Sequence, residues 1–384
     1  MSQRIYLDNA ATSWPKPPPV LDALVGFYRD LGGAAGRGAH SASQQADALV
    51  TACRQAIGDL LRAQVDDQIV FAHNGTDALN LGIHGLLRPG DHVVVSTLEH
   101  NSVLRPVAAF AERQGGSYSL VSADERGIVR PQDIQAALRP DTRLVCLTHA
   151  SNVTGVLQPV ADVGALCRAA GVSLLVDAAQ TIGRVAVDVR QMQCDLLAAA
   201  GHKGLLGPLG TAFLFVSGRV ANQLQSLRQG GTGTETTAEQ QPTTYPHRLE
   251  AGNLNVGGIA ALLAGIRYVT NLGVESIGRH ELELAEQLFA GLEACPGVEL
   301  IARAVEPRVA IASLTFANHD VHDAAAILDS AFGIHARAGL HCAPHAISGG
   351  PQHESVATLR LSPGWQTTAE QIQRTIEAIR EIAS

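Results

Sequence analysis

Lys203 is the residue of this chain that packing explains least well. It stands in DLLAAAGHKGLLGPLGTAFLF, between two apolar runs and among glycines at 201, 204, 207 and 210. A solvated loop lysine is the plain alternative, since most lysines are exposed. Chemistry is favoured because glycines let a planar ligand approach the backbone, and apolar surroundings lower an amine's pKa, as Schiff-base formation requires. In VDAAQ, Asp177 and Gln180 follow an apolar run at its carboxyl end, the edge where open α/β sheets bind ligands. Asp177 alone reads equally as a helix cap. Beside a reactive lysine it gains a specific role: a carboxylate opposite a pyridinium nitrogen keeps that ring protonated and electron-withdrawing, with Gln180 on the ring's phenolic oxygen.

Other polar groups fall at neighbouring strand ends. NGTDALN (74–80) opens a helix directly after a strand, so the amides around Gly75 and Thr76 face an anion such as phosphate, as in any well-capped helix. His100 in STLEHNSV and Asn152 in THASNVTG follow the next strands and share that rim. A histidine there is either structural or a ring that stacks on a ligand and moves protons. RAGLHCAPH offers Arg337 and Cys342 five residues apart, and TLRLS offers Arg360. The two arginines are either surface charges or a clamp matched to an amino-acid carboxylate. Cys342 reads as an accessible loop thiol whose neighbours Arg337, His341 and His345 suit a reactive sulfur.

The elements that position these groups alternate. β-rich runs at 69–71, 92–97, 117–122, 143–149, 173–178 and 211–217 are mostly separated by segments such as TDALNLGIHGLL and PQDIQAALR. Their apolar residues recur every three or four positions after a capping residue or proline, as helices require. This is an α/β pattern: βαβ units on a largely parallel sheet, covered on both faces. After Gly218, RQGGTGTETTAEQQPTTYPHRLEAGN is too polar for a core element and predicts a functional loop or hairpin. From about 256 come a long helical pattern, a strand-like RVAIASLTF, a helix near 321–331, short strands around Ala336 and Leu359, and a terminal helix at 367–382. They predict a smaller α+β domain.

Composition excludes several classes. With 46% hydrophobic residues in 384, the chain can bury one large core or two fused ones. Lys+Arg 28 against Asp+Glu 36 leaves a net charge of -8, which is no footprint for nucleic acid. No apolar run reaches the roughly 18 to 20 residues of a membrane span, and the amino terminus lacks a signal-peptide core, so a cytoplasmic protein off the membrane is expected. The six cysteines, at 53, 146, 167, 194, 295 and 342, form no CxxC pair, so neither a metal site nor a disulfide framework is expected.

Taken in order and at their spacing, YLDNAATSWPKP (6–17), GRGAHSAS, NGTDALNL, LEHNSV, THASNVTG, VDAAQ, AGHKGLLGP, LEAGNLN, RAGLHCAP and LRLS are similar to the class V aminotransferase-like enzymes. Specifically, the chain resembles the group II cysteine desulfurase and selenocysteine lyase family over nearly its whole length. The resemblance implies the pyridoxal-phosphate-dependent transferase fold type I. An arm at 1–20 would pack near the small domain, a large domain at 21–255 would carry a mostly parallel seven-stranded sheet, and the small α+β domain would span 256–384. It implies Lys203 bonded covalently to pyridoxal 5'-phosphate, His100 stacked on the ring, Asp177 at the pyridinium and Gln180 at the ring hydroxyl. Gly75, Thr76 and His202 would grip the phosphate. Asn152, Arg337 and Arg360 would hold the substrate carboxylate, and Cys342 would carry a persulfide.

The family is homodimeric with shared sites, and the matching cross-subunit positions are Arg37 and Asn253. Asn253 stands where threonine is usual, and Ala200 where a serine or threonine phosphate ligand commonly precedes the glycine-histidine-lysine run. Each change removes or alters one neutral hydrogen bond, worth about 0.5 to 1.5 kcal/mol, and spares the bond-breaking groups. The implied reaction takes L-cysteine to L-alanine, with sulfur passing through Cys342 to an acceptor protein or small thiol for iron-sulfur clusters or other sulfur metabolism. Alternatives are lysis of L-selenocysteine, another β-elimination or transamination of a small amino acid, and a non-catalytic scaffold on the same fold.

Overall fold

The run AFLFV at 212–216 shows how the sheet is built. Phe213 and Phe215 belong to one buried cluster, Ala212, Leu214 and Val216 to another, and all five are buried. A strand apolar on both faces needs a helical layer on each side.

The computed structural model describes residues 4–384 except positions 236 and 304. A short strand β1 (Ile5–Tyr6) and helices α1 (Pro18–Gly26) and α2 (Ser41–Leu61) come first. They are followed by β2 (Gln68–Ala72), α3 (Gly75–Leu86), β3 (His92–Ser96), α4 (Asn101–Gln114), β4 (Ser117–Val121), α5 (Pro131–Ala137), β5 (Thr142–Thr148) and α6 (Val160–Ala170). Strands β6 (Ser173–Asp177), β7 (Leu196–Ala200) and β8 (Ala212–Val216) and the single turn α7 (Gly218–Ala221) complete this part. The seven-stranded sheet runs β2-β8-β7-β6-β5-β3-β4, with β8 antiparallel to both neighbours and every other pairing parallel. Because β8 alone is reversed, β2, β3, β5, β6 and β7 all end at one edge.

One face of the sheet is covered by α2, α6 and α8 (Val256–Leu272), the other by α3 and α4. Alpha-helical spacing in α2 places Ala46, Val50, Cys53, Ile57 and Leu61 in the core. The remaining elements are α9 (Val274–Leu292), β9 (Val298–Leu300), β10 (Ala312–Phe316), α10 (Val321–Phe332), β11 (Ile334–His335), β12 (Arg337–Gly339), β13 (Thr358–Leu361) and α11 (Ala369–Ala383). A four-stranded antiparallel sheet, β12-β13-β10-β9, packs against α9, α10 and α11 around a third core. Strand β1 pairs in parallel with β11, and Ile5 and Leu7 enter that same core.

One detail differs from the sequence expectation. Helix α8 begins at 256, where the smaller unit is expected to start, but Val256, Ile259, Leu262, Leu263 and Ile266 join the core of the large sheet. Its apolar content is high enough to be buried against α1 and α2 rather than to start a second layer. The stretch 222–255 carries no helix or strand among its described residues, as its polar composition predicts. Among the described residues no single helix is long and apolar enough to cross a membrane; α8 and α9 pass that test only together and are bent by 78° at their junction.

Candidate active site

Since β8 is antiparallel to β7, the link between them is a hairpin, and Lys203 sits in it. The hairpin is closed by Gly201 N–H to Thr211 O and Gly207 N–H to Gly201 O, both 2.8 Å. Glycine is required where the chain crowds: a Cβ at 201 would lie 2.4 Å from Thr211 Oγ1, and one at 204 would lie 2.2 Å from the carbonyl oxygen of Ile182. Burial lowers the Lys203 amine to about 8, against an upward pull from Asp177; Arg360, Arg184 and Arg337 lower it further.

Lys203 lines a cavity of about 220 Å3 together with Gly75, Thr76, His100, Asn152, Asp177, Gln180, His202 and Arg337. Nine of the sequence-selected residues thus meet in one place. A larger hollow, about 690 Å3 beside Arg62, Asp188 and Arg279, contains none of them. Asp177 closes β6; its Oδ1 accepts from Ala179 N at 2.9 Å, and burial raises its carboxyl against that bond and the charge of Lys203. Gln180 Nε2 donates to Ala10 O at 3.0 Å, which leaves its buried Oε1 without a partner.

His100 caps α4. Its Nδ1 accepts from Ser102 N at 3.0 Å and lies 2.8 Å from Ser102 Oγ, which is itself 2.7 Å from Thr76 Oγ1. Burial first, then Lys203, Arg337, Arg360 and Arg105, lower His100 to about 4, so the ring is neutral. With Nδ1 accepting, its proton sits on Nε2. His202 is likewise held near 4 by burial, Lys203 and Lys16, and its buried Nδ1 has no partner.

The second unit brings up the arginines and the thiol. Arg337 Nη2 donates to Cys342 Sγ at 3.3 Å. Arg360 does not line the cavity: it is buried, bonds Asp8 Oδ1 at 2.8 Å and donates to Asn152 O at 3.0 Å. Asn152 Nδ2 donates to His341 O at 2.7 Å, and Asn101 N to Cys342 O at 2.7 Å, so the thiol-bearing turn is pinned to the loop after β5 and to the start of α4. His341 and Cys342 both adopt left-handed backbone, φ 51° and 60°. His341 is expected to support the sulfur, but its Nε2 is engaged with Thr358 O and Oγ1 at 3.1 and 2.9 Å, and burial lowers it to about 3. Its ring serves the strand instead.

Arg37 and Asn253 lie outside the cavity of their own chain: Arg37 is exposed and donates to Gly231 O at 2.8 Å, and Asn253 borders a small separate hollow with Arg228 and Thr211. Sequence reasoning passed over Asp8, Glu99 and Ser102, although each stands inside a motif singled out above. Glu99 is fully buried, with Oε1 accepting from Ser96 Oγ (2.7 Å) and Thr148 N (2.9 Å) and Oε2 unpartnered; burial raises it to about 8. Among the described residues no group of three or more His, Cys, Asp or Glu could hold a metal ion.

The family model for Aminotransferase class-V matches residues 5–375. This chain belongs to the pyridoxal-phosphate-dependent class V aminotransferase family and, within it, to the cysteine desulfurases. It is 37% identical over 388 residues to the probable cysteine desulfurase of Methanothermobacter thermautotrophicus, covering 100% of this chain and 96% of the relative. It is 33% identical to the cysteine desulfurase of Salmonella typhimurium, covering 98% and 93%. Among solved structures it is similar to the apo cysteine desulfurase of Thermococcus onnurineus NA1, with TM-score 0.91, 30% identity and coverage of 99% and 94%. The Escherichia coli cysteine desulfurase CsdA, in its S-sulfonic acid form, gives TM-score 0.87 at 25% identity, covering 98% and 94%.

The donor set fits pyridoxal phosphate. A depressed amine, a buried carboxylate and a helix N-terminus surround one cavity, and two of its walls, Gln180 and His202, retain buried polar atoms without partners.

Proposed function

We propose that this protein is a cysteine desulfurase that converts L-cysteine to L-alanine and keeps the sulfur on Cys342 as a persulfide. The observation that carries this reading is one arginine, Arg337, that both lines the Lys203 cavity and touches Cys342 Sγ. Lys203 Nζ would hold the cofactor, with Asp177 at the ring nitrogen, Gln180 at the ring oxygen, and Gly75, Thr76 and His202 at the phosphate. When bound, pyridoxal phosphate supplies an aldehyde that condenses with amines and a ring that accepts the electron pair of a deprotonated α-carbon.

The chain's own groups do the rest. Lys203 Nζ, already poised near 8, takes the proton from the substrate α-carbon and returns one. Arg337 binds the substrate carboxylate from the cavity wall; Arg360, buried behind it, supports Asn152 through its carbonyl. For Asn152 to join them, its amide would give up the His341 carbonyl. His100 presents Nε2–H to the substrate sulfur side and moves a proton there. Attack by Cys342 Sγ on the substrate sulfur forms an S–S bond as the Cβ–S bond breaks, and Cβ gains a proton. Alanine and one persulfide account for every atom, with no oxidant consumed.

A homodimer with shared sites is part of this reading; the placement of Arg37 and Asn253 outside their own cavity supports it. So are a cytoplasmic location, an acceptor protein or thiol for the sulfur, and division into an arm, a large unit and a small unit. The core formed by α9 to α11 with the arm's Ile5 and Leu7 supports the division. The test is turnover of L-cysteine with alanine and sulfide both quantified, for wild type and Cys342→Ala, repeated with L-selenocysteine. Cys342→Ala is expected to stop desulfurisation and spare release of selenium. Pyruvate and ammonia in place of alanine would replace this reading with β-elimination.

A further inference from the structure

We infer that Lys16 is a positioning residue for Lys203: its ammonium fastens the carbonyl of His202 and so clasps the N-terminal arm onto the hairpin that carries the site amine. The inference rests on Lys203 being the cofactor-holding residue. Lys16 Nζ lies 2.8 Å from His202 O and 2.8 Å from Ser13 Oγ. The same carbonyl receives Ser13 N at 3.0 Å, Ser13 Oγ at 3.1 Å and Thr12 Oγ1 at 3.2 Å. A carbonyl oxygen has two lone pairs, so four converging donors over-determine its position.

The lysine is not needed to satisfy that oxygen, and it is costly where it stands. Burial alone lowers its amine to about 8, with no carboxylate contributing. A half-buried ammonium facing only neutral oxygens is disfavoured unless its hydrogen bonds matter, and the bond from a charged donor is the strongest of the four. Its effect is local and mechanical: the carbonyl belongs to the peptide unit that joins His202 to Lys203, so fixing it fixes the start of the Lys203 side chain.

The other end of this arm is equally well tied. Asn9 Nδ2 donates to Ser362 O at 3.0 Å, Ala10 N to Ser362 Oγ at 2.9 Å, and Trp14 N to Asn9 Oδ1 at 3.1 Å. Gln180 Nε2 holds Ala10 O between them. Residues 9–16 therefore run from the strand bearing Arg360, past Gln180, to the hairpin bearing Lys203, and Lys16 closes the last link.

The experiment compares holoenzyme carrying Lys16→Met, Lys16→Gln and Lys16→Arg with wild type. Two quantities are measured: hydrogen exchange of the segment 200–206, and first-order loss of the visible cofactor band after dilution. Lys16→Met is expected to speed both about tenfold, Lys16→Gln to fall between, and Lys16→Arg, which keeps the charge, to stay within about threefold of wild type, with α11 unchanged throughout. Wild-type behaviour of the Met and Gln variants overturns the proposal, as does an Arg variant no better than Met. If Lys16→Met does not fold, Lys16→Gln against Lys16→Arg decides. A colourless, inactive wild type would sink the reading of Lys203, whereas the exchange contrast judges Lys16 independently of turnover.

Discussion

Arg337 and Arg360 stand directly opposite each other across β12 and β13, yet only Arg337 faces the cavity, while Arg360 is met by Asp8 at 2.8 Å. Paired like charges repel, and Asp8 offsets the buried one. That bond fixes Arg360, and Arg337 is the one of the two that lines the cavity. Replacing Arg337 with methionine should raise the KM for L-cysteine about 10- to 100-fold, the cost of a lost charge-assisted bond. Steady-state kinetics check this; an unchanged KM would assign the carboxylate to another group.

The depressed Lys203 amine predicts a reactivity midpoint. In cofactor-free protein, reductive methylation at Lys203, followed by mass spectrometry across pH, should show half-reaction near 8 rather than near 10.5. Asp177→Ala removes the pull that raises the amine and should move the midpoint below 8. The linkage has a definite sign: folding lowers this pKa, so between about 8 and 10.5 the unfolded chain holds the extra proton, and this group's contribution to stability rises with pH in that window.

Glu99 behaves oppositely. Its carboxyl is raised from 4.5 to about 8, so between those values the folded chain binds the extra proton and stability falls as pH rises, by about 1 kcal/mol per pH unit from this group. Urea denaturation at pH 5.5 and 7.5 should show that slope in wild type and a flatter one in Glu99→Gln. Equal slopes would mean the carboxylate is ionised throughout.

The pair Arg184–Glu281, 2.9 Å apart and almost wholly buried, joins the segment after β6 to α9. Arg184→Met or Glu281→Leu alone should cost about 3 to 5 kcal/mol by leaving one buried charge unmatched, and the double variant should recover most of it. Chemical denaturation of the three variants gives the cycle directly.

Much of this architecture is legible in the sequence. Strands such as HVVVS and SLLVD are buried throughout around apolar centres, and Asp177, which ends the second, reaches the cavity. Strand β7 is harder to read, because LLAAA has no β-branched or aromatic residue and alanine favours helix; only pairing with β6 and β8 makes it a strand. Helix α2 has helical spacing at Ala46, Val50, Cys53, Ile57 and Leu61, but its many polar residues mask it in the sequence. In the site, residue type suggests Arg360 as a carboxylate ligand; its bond to Asp8, more than 350 positions away in sequence, is a fact of packing. Ser102 and Lys16 are similar cases: their partners, Thr76 and the His202 carbonyl, meet them only across the fold.

The reversal of β8 separates two electrostatic duties. Gly75 and Thr76 open α3 and His100 caps α4, where the peptide dipoles reward negative charge and would penalise a cation. A lysine supplied by a strand-to-helix loop would stand in that positive field. Delivered by a hairpin, Lys203 heads no helix of its own, and the side chains that set its basicity, Asp177, Arg360, Arg184 and Arg337, can be substituted one at a time, while the helix ends stay free to seat an anion.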